Sequence, residues 1–332
     1  MAEDRDIIAV IVNYDGGESL LRCVESLLGQ RRVTRVIVVD NDSGDPSLAL
    51  VTARYPRVHI IKAHSNLGFG GGCNLGAAHA DPRSHLLFLN PDIELGDGTG
   101  PAMAAALDHQ PGVVGPAVRV EVSRATEYGG TVNHLGMSLR YEEPGDDPLY
   151  VPGCALGIDR KTFEIVGGFD SRYFLFVEDV ELCWRVLRAG REVRVLNEVL
   201  AFHVGGGTLP GGYVRDGVKE TTHRRVILRE RNSLTLLLAC APMWWLPAVC
   251  AAYLVRTGLL AIGALALRRP ALARGLLAGL VWNVQQFPAT MARRRSGPST
   301  LAGRRASRRR VRSGAFLLRG ARDRLPVFLE DL

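Results

Sequence analysis

Four apolar runs of strand length punctuate the first 95 residues, and each stops on polar side chains. They read IIAVIVNY from Ile7, RVIVVDNDSGD from Arg35, VHIIKAHSN from Val58 and HLLFLNPDIEL from His85. Runs without polar alternation are strands buried on both faces, which requires helices on both sides of a parallel sheet. The segments between them supply those helices. ESLLRCVESLLGQ sets Leu20, Leu21, Val24, Leu27 and Leu28 on one face, PSLALVTARY is helical, and NLGFGGGCNLGAAHA gives a glycine-rich turn and a helix. The pattern predicts an α/β fold with a Rossmann-like, mostly parallel sheet.

In such sheets ligands lie beyond the carboxyl ends of the strands. Asn13, Asp40, Asn66 and Asp92 all stand at such ends. An oily strand gains no stability by finishing on Asp92 and Glu94. These acids either leave the core for water, or one of them is a ligand held on a rigid arm. Four polar tips on one edge favour a site.

Residues 100 to 150 carry a weaker signal of loops and short strands. Structure sharpens at PGCALGIDRKTFEIVGGFDSRYFLFVEDVELCWRVLRAGREVRVL, read as strand, short helix, aromatic loop, helix and strand. NEVLAFHVGGGT follows and ends in flexible glycines. From Leu234 the composition changes: LTLLLACAPMWWLPAVCAAYLV has no charge and is long enough to cross a bilayer, although Pro242 and Pro247 would kink a single helix. TGLLAIGALAL and the amphipathic LARGLLAGLVWNV come next, so either a helical hairpin enters the membrane or helices lie in its interface. Three regions are expected: an α/β domain over 1–225, apolar membrane-associated helices over 226–292, and an Arg-rich tail over 293–332.

The net charge of +7 is a property of that tail. Residues 291–324 hold twelve Arg and one Asp, while residues 1–290 are close to neutral. A basic run behind apolar helices suits the anionic cytoplasmic face of a membrane better than nucleic acid. The six cysteines have neither CxxC nor zinc spacing and read as reduced thiols; no secretory signal precedes Ile7. NLGFGGGCN is not GxGxxG, and no GxxxxGK[ST] occurs, which argues against dinucleotide oxidoreductases and P-loop NTPases.

VIVNYDG, VIVVDNDSGD, NLGFGGGCN, LLFLNPDIEL, GGFDSRYFLFVEDVELCWR and AFHVGGGT occur in that order. Any one is weak, but the ordered set, over about residues 7 to 210, resembles inverting GT-A glycosyltransferases of family 2, in particular the bacterial rhamnosyltransferase-like subgroup. The resemblance implies transfer of a sugar from a nucleotide-diphosphate donor with inversion at the anomeric carbon.

A departing diphosphate needs its charge stabilised, which a hard divalent cation, Mg²⁺ or Mn²⁺, can do through oxygen ligands. Asp92 is the expected ligand. The resemblance places Asn90 at the first position of the family's DxD motif, where a carboxylate is usual, so Asp92 and the diphosphate would carry most of the binding. By the same resemblance His203 reaches the metal or diphosphate, Asp40 accepts from a uracil or thymine imide, and Asn13 and Tyr14 contact the base. Asn41 would add a ribose contact. Gly68 and Gly70 would bring backbone close to the donor, with Asn66 and Asn74 binding its hydroxyls. Ser43 and Asp45 read as capping groups.

Inverting transfer also needs a carboxylate to take the acceptor proton. Glu178 and Asp179 open a predicted helix after the aromatic RYFLF; the resemblance makes Asp179 the base and Glu178 an acceptor contact. Helix capping is the competing account. Glu181 and Arg185 are spaced for an ion pair. Gly153, Cys154 and Trp184 are placed along the acceptor site, although Trp184 also suits the core. The resulting expectation is transfer of rhamnose from dTDP-rhamnose to a polyprenyl-diphosphate-linked glycan at the cytoplasmic face of the bacterial inner membrane. UDP sugars such as galactose are the alternative donors. Nucleotidyl transfer would need a basic loop after the first strand, where this chain is acidic. A scaffold with the fold kept and catalysis lost would draw on Asn90.

Overall fold

The computed structural model describes residues 4–121, 123–145, 147–204, 214–215, 218–219 and 222–311. The apolar runs form β1 (Ile7–Asn13), β2 (Val33–Asp40), β3 (His59–Lys62) and β4 (His85–Leu89), parallel and ordered β3-β2-β1-β4. Helices α1 (Gly17–Leu28), α2 (Ser47–Arg54) and α3 (Gly68–Ala78) make the crossovers. The alternation of β1 divides the core. Ile8, Val10 and Val12 pack with Phe69, Cys73 and Trp184, while Ile7, Ala9 and Ile11 pack with Leu20, Val24 and Leu27. Leu28, on the apolar face by sequence, turns outward at the end of α1.

Residues 96–120 depart from the expected loops. After β5 (Ile93–Leu95), the helix α4 (Thr99–His109) leads into the nine-residue strand β6 (Gly112–Val120). Small residues hide both. Alanines flatten the periodicity of α4, and Gly115 and Pro116 interrupt a run that is nonetheless buried beside β11 (Glu192–His203). The short strands β7 (Thr126–Glu127), β8 (Gly130–Val132) and β9 (Ser138–Arg140) agree with the reading. β10 (Ala155–Ile158) is antiparallel between β4 and β6; β11 runs parallel to β6, and β5 closes the edge antiparallel. The sheet is therefore mixed, with six of its nine strands in one direction. Helices α5 (Arg160–Val166) and α6 (Glu178–Arg188) lie where predicted.

The charge-free stretch from Leu234 is not one segment. Its first third ends α7 (His223–Cys240), where Leu236, Leu237 and Leu238 are buried in the core that holds α6. Pro242 stops α7, a short 3-10 turn spans Met243–Trp245, and Pro247 sits in the first turn of α8 (Leu246–Ala266). The apolar core is thus continuous across residue 225. TGLLAIGALAL is the second half of α8, and α9 (Pro270–Ser296) runs through Pro288 to α10 (Leu301–Arg309). Among the described residues, Met243–Ala266 is the one helix long and apolar enough to cross a membrane.

Candidate active site

Parallel pairing puts Asn13 beside Asp40 at the ends of β1 and β2. The buried Asn13 amide donates to Asp40 Oδ1 (3.2 Å), Ser43 Oγ and Ser47 Oγ (both 3.0 Å). Ser43 also donates to Asp40 Oδ1 at 2.5 Å, so it orients the carboxylate and does more than cap. Asp45 does cap, accepting from Gly17 N (2.7 Å) and Ser47 N (3.2 Å). Tyr14 is half-buried beside this cluster. Asn41 donates to Gly68 O (2.9 Å), which links β2 to the glycine-rich turn, and its own Oδ1 is buried with no partner among the described residues.

The glycine-rich segment has another job than the one its composition suggests. Gly68 has φ +71°, and a Cβ there would lie 2.0 Å from Phe174 O; Phe69 N donates to that same oxygen. A Cβ on Gly70 would meet Phe169, and one on Gly72 would meet Val12. These glycines let α3 pack tightly against β1 and the 169–174 loop, which by itself accounts for a glycine at 68 and at 70. Asn74 is committed as well: Nδ2 donates to Phe169 O (3.0 Å) and Oδ1 accepts from Phe169 N (2.9 Å). Asn66 Oδ1 accepts from Gly68 N (2.9 Å) at the start of α3. Both asparagines shape the loop.

The two acids after β4 part company. Glu94 goes to the surface and pairs with Arg22 at 2.9 Å. Asp92 is buried, and its Oδ2 lies 3.3 Å from Nε2 of His203 at the end of β11. Val204 N donates to Asp92 O (3.2 Å), which fixes the strand ends together. Adjacent corners of an octahedral ion with ligands at about 2.1 Å are separated by about 3 Å, so this pair fits one metal corner to corner. Among the described residues no three His, Cys, Asp or Glu side chains form a complete cage. Two protein ligands suit a cation that takes the rest of its shell from diphosphate and water. Asn90, half-buried, donates its backbone N–H to Cys154 O at 3.1 Å. The glycines after Val204 lie outside the described residues.

Glu178 and Asp179 occupy the first turn of α6, behind Val177, which holds φ +73° and offers no side-chain cap. Asp179 Oδ1 accepts from Val180 N at 2.8 Å and so serves the helix start, but capping gives no reason to bury two acids side by side. Burial raises the pKa of both, and the Asp179 charge raises Glu178 further, to about 8. Backbone N–H groups of Val180 and Gly153 and the charge of Arg140 pull Asp179 back down. Glu178 is therefore the member of the pair that keeps its proton longer as pH rises, and Asp179 the one that ionises first. A Cβ on Gly153 would lie 2.4 Å from Asp179 Oδ2. Gly153 thus makes room for Asp179, while its neighbour Cys154 holds Asn90. The Asn90–Asp92 turn and the acid pair reach consecutive residues of one strand entrance, and Cys154 feels the charge of both Asp92 and Asp179. Its thiol is pushed up by burial.

Trp184 is fully buried among Tyr173, Cys183 and Leu187, so it cannot touch an acceptor. It lies on the inner side of α6. Glu181 and Arg185 form a buried bidentate pair (both 2.6 Å), and Arg185 also donates to Val166 O and Gly168 O, fastening α6 to that turn. The sequence reading missed Arg140 and Tyr150 near Asp179, because residues 100–150 carry no periodic signal. It missed Asn232 on α7 as well, which donates to the carbonyls of Tyr173 (3.0 Å), Leu175 and Phe176 (both 2.8 Å).

Residues 8–166 match the family described as Glycosyl transferase family 2. Over 220 residues the chain is 31% identical to N-acetylglucosaminyl-diphospho-decaprenol L-rhamnosyltransferase of Mycobacterium tuberculosis, covering 56% of this chain and 72% of that one. It is 28% identical to galactofuranosyltransferase GlfT1 of Mycolicibacterium smegmatis, covering 57% and 68%. The fold is similar to that of S. aureus TarS 1–349, with TM-score 0.54 and 14% identity over 91% of this chain and 90% of the other. It is also similar to the mannosyltransferase PcManGT from Pyrobaculum calidifontis in complex with GDP-Man and Mn²⁺, with TM-score 0.50 and 17% identity over 85% and 88%. The sheet and its helices are those of the GT-A fold.

Proposed function

Because the chain belongs to glycosyl transferase family 2, and is a glycosyltransferase using a nucleotide-sugar donor, we propose that it moves rhamnose from dTDP-rhamnose, with inversion, to a polyprenyl-diphosphate-linked saccharide. The observation carrying this reading is the convergence of two pairs, Asp92 with His203 and Glu178 with Asp179, on the Gly153–Cys154 strand entrance. A relative named for acting on a decaprenol-linked acceptor supports the lipid carrier.

In this mechanism Asp40, oriented by Asn13 and Ser43, accepts the imide N–H of thymine. Tyr14 and Asn41 flank the nucleoside. Asp92 and His203 would hold Mg²⁺ or Mn²⁺, which when bound offsets charge on the leaving diphosphate. Asp179, the charged member of its pair, takes the acceptor hydroxyl proton as that oxygen attacks the anomeric carbon from the face opposite the diphosphate. The carbon–oxygen bond to the donor breaks with its electron pair on dTDP. Neutral Glu178 donates a hydrogen bond to the acceptor.

The apolar face of α8 would hold the enzyme at the cytoplasmic face of the plasma membrane, where the lipid tail stays in the bilayer and the head enters the site. The test is transfer of labelled sugar from dTDP-rhamnose or UDP-galactose to a synthetic polyprenyl-diphosphate N-acetylglucosamine. Product from the first donor alone is expected. Product from UDP-galactose alone would replace the donor assignment, and Asp179→Asn that keeps full activity would remove the proposed base.

A further inference from the structure

A cavity of about 690 Å³ lies where the C-terminal ends of α6, α7 and α9 meet α10. Among the described residues, six arginines and no acidic side chain line it. Two of them serve the fold: Arg188 donates to Ala239 O (3.0 Å), and Arg294 donates to Leu238 O (2.9 Å) and Ala241 O (2.5 Å), satisfying the end of α7. The other four, Arg295, Arg304, Arg305 and Arg308, form no ion pair with a described residue. Three helix ends contribute about −1.5 elementary charges between them, well short of six guanidiniums. Burial and the neighbouring Arg188 push the pKa of Arg294 down, a sign of the same excess of positive charge.

Apart from Ser307, the rest of the lining is apolar. Met243 and Trp244 stand at its edge, 59% and 67% exposed, with the Arg308 guanidinium 5.6 Å from the Trp244 ring. Two residues on, α8 begins, and its Leu254, Val255, Leu259, Ile262 and Leu265 are exposed. Inorganic phosphate would have no use for the apolar half. An exposed indole, arginines around it and an apolar helix leading away form the pattern of a bilayer interface.

We propose that this cavity seats the phosphate headgroup of an anionic membrane phospholipid, whose chains leave past Met243 and Trp244 along α8. The proposal rests on the membrane association above and adds to it a built site away from the catalytic acids, which lie at the opposite end of α6.

The full-length chain is tested by co-sedimentation with phosphatidylcholine vesicles, with and without phosphatidylglycerol, at physiological ionic strength. Arg304→Gln/Arg305→Gln/Arg308→Gln is compared with Arg31→Gln/Arg57→Gln/Arg83→Gln, which loses the same charge elsewhere on the surface. At about fivefold per arginine, the cavity triple is expected to lose about 100-fold in affinity for anionic vesicles, and the control triple little. Equal losses would overturn the site in favour of net-charge attraction. An arm free of mutations uses wild-type protein with dihexanoyl phosphatidylglycerol or dihexanoyl phosphatidylcholine below micelle formation. Only the first is expected to raise Tm, and saturably. If inorganic phosphate gives the same rise, the site is a free-anion site and the lipid assignment falls. Wild type that binds both vesicle types equally, with the cavity triple unchanged, overturns the headgroup site and leaves membrane association standing. Wild type that binds neither overturns the membrane reading itself.

Discussion

Nε2 of His203 stands 3.3 Å from Oδ2 of Asp92, although 110 residues separate them and they lie on different strands. The strand pairing His203↔Ile93 sets this approach, so it is built into the sheet. If the pair holds the donor's cation, both should govern metal dependence. Asp92→Asn is expected to abolish the Mn²⁺-dependent rise in Tm on adding dTDP-rhamnose. His203→Ala should raise the Mn²⁺ concentration for half-maximal transfer about 10- to 100-fold, the range seen when support for a metal site is removed. Unchanged Mn²⁺ dependence in both variants would remove the pair from the metal site.

Glu178 titrates near 8 because burial and the Asp179 charge both resist its ionisation. Its folded pKa lies above its unfolded one, so the unfolded chain releases this proton first. Stability from this group is therefore lost as pH rises from about 4.5 to about 8. Glu178→Gln should raise Tm at pH 8 relative to wild type and change it little at pH 4.5. Glu178 still carries its proton where Asp179 ionises, so the same substitution should leave the acid limb of kcat/KM in place. Asp179→Asn should cost about 10²- to 10⁴-fold in kcat with dTDP-rhamnose binding kept.

Gly153 is the point where the site leaves no room beside Asp179. A methyl group there would lie 2.4 Å from Asp179 Oδ2, so Gly153→Ala must displace the carboxylate or the strand entrance. Displacement of a catalytic group by about 1 Å can cost about 100-fold. The expected outcome is a drop of that order in kcat with donor affinity little changed, read by steady-state kinetics beside a thermal-shift titration.

What the sequence makes legible follows from what each residue type announces. Four oily strands with polar tips could be read at sight, because burial on both faces leaves a continuous apolar run. The packing partners of the glycines could not. GFGGG looks like a phosphate cradle, yet Gly68 is required by Phe174, more than a hundred residues later in the chain. Met243–Trp245 and the two prolines showed where a long apolar stretch would break, but not that its first part is core of the α/β domain while α8 is exposed. Asn232 carries no local signal, since its partners come from a loop 56 to 59 residues earlier.

That loop gives the last prediction. Phe174, Phe176 and Val177 all hold positive φ (64°, 70° and 73°), a conformation costly for bulky and β-branched residues. The strain persists because the loop is tied down on two sides. Phe69 N holds Phe174 O from α3, and the Asn232 amide holds three carbonyls from α7. Glu178 follows immediately, so Asn232 is a positioning residue acting through backbone. Asn232→Ala should destabilise the fold by about 1–3 kcal/mol, the cost of buried carbonyls left without donors. Asn232→Asp should be worse, because it turns an acceptor toward three carbonyls. Assayed well below their Tm, both variants should still lose kcat and shift the acid limb of the pH profile, as the acid pair relaxes toward solvent. A loss of stability with kcat and pH profile unchanged would confine Asn232 to a structural part.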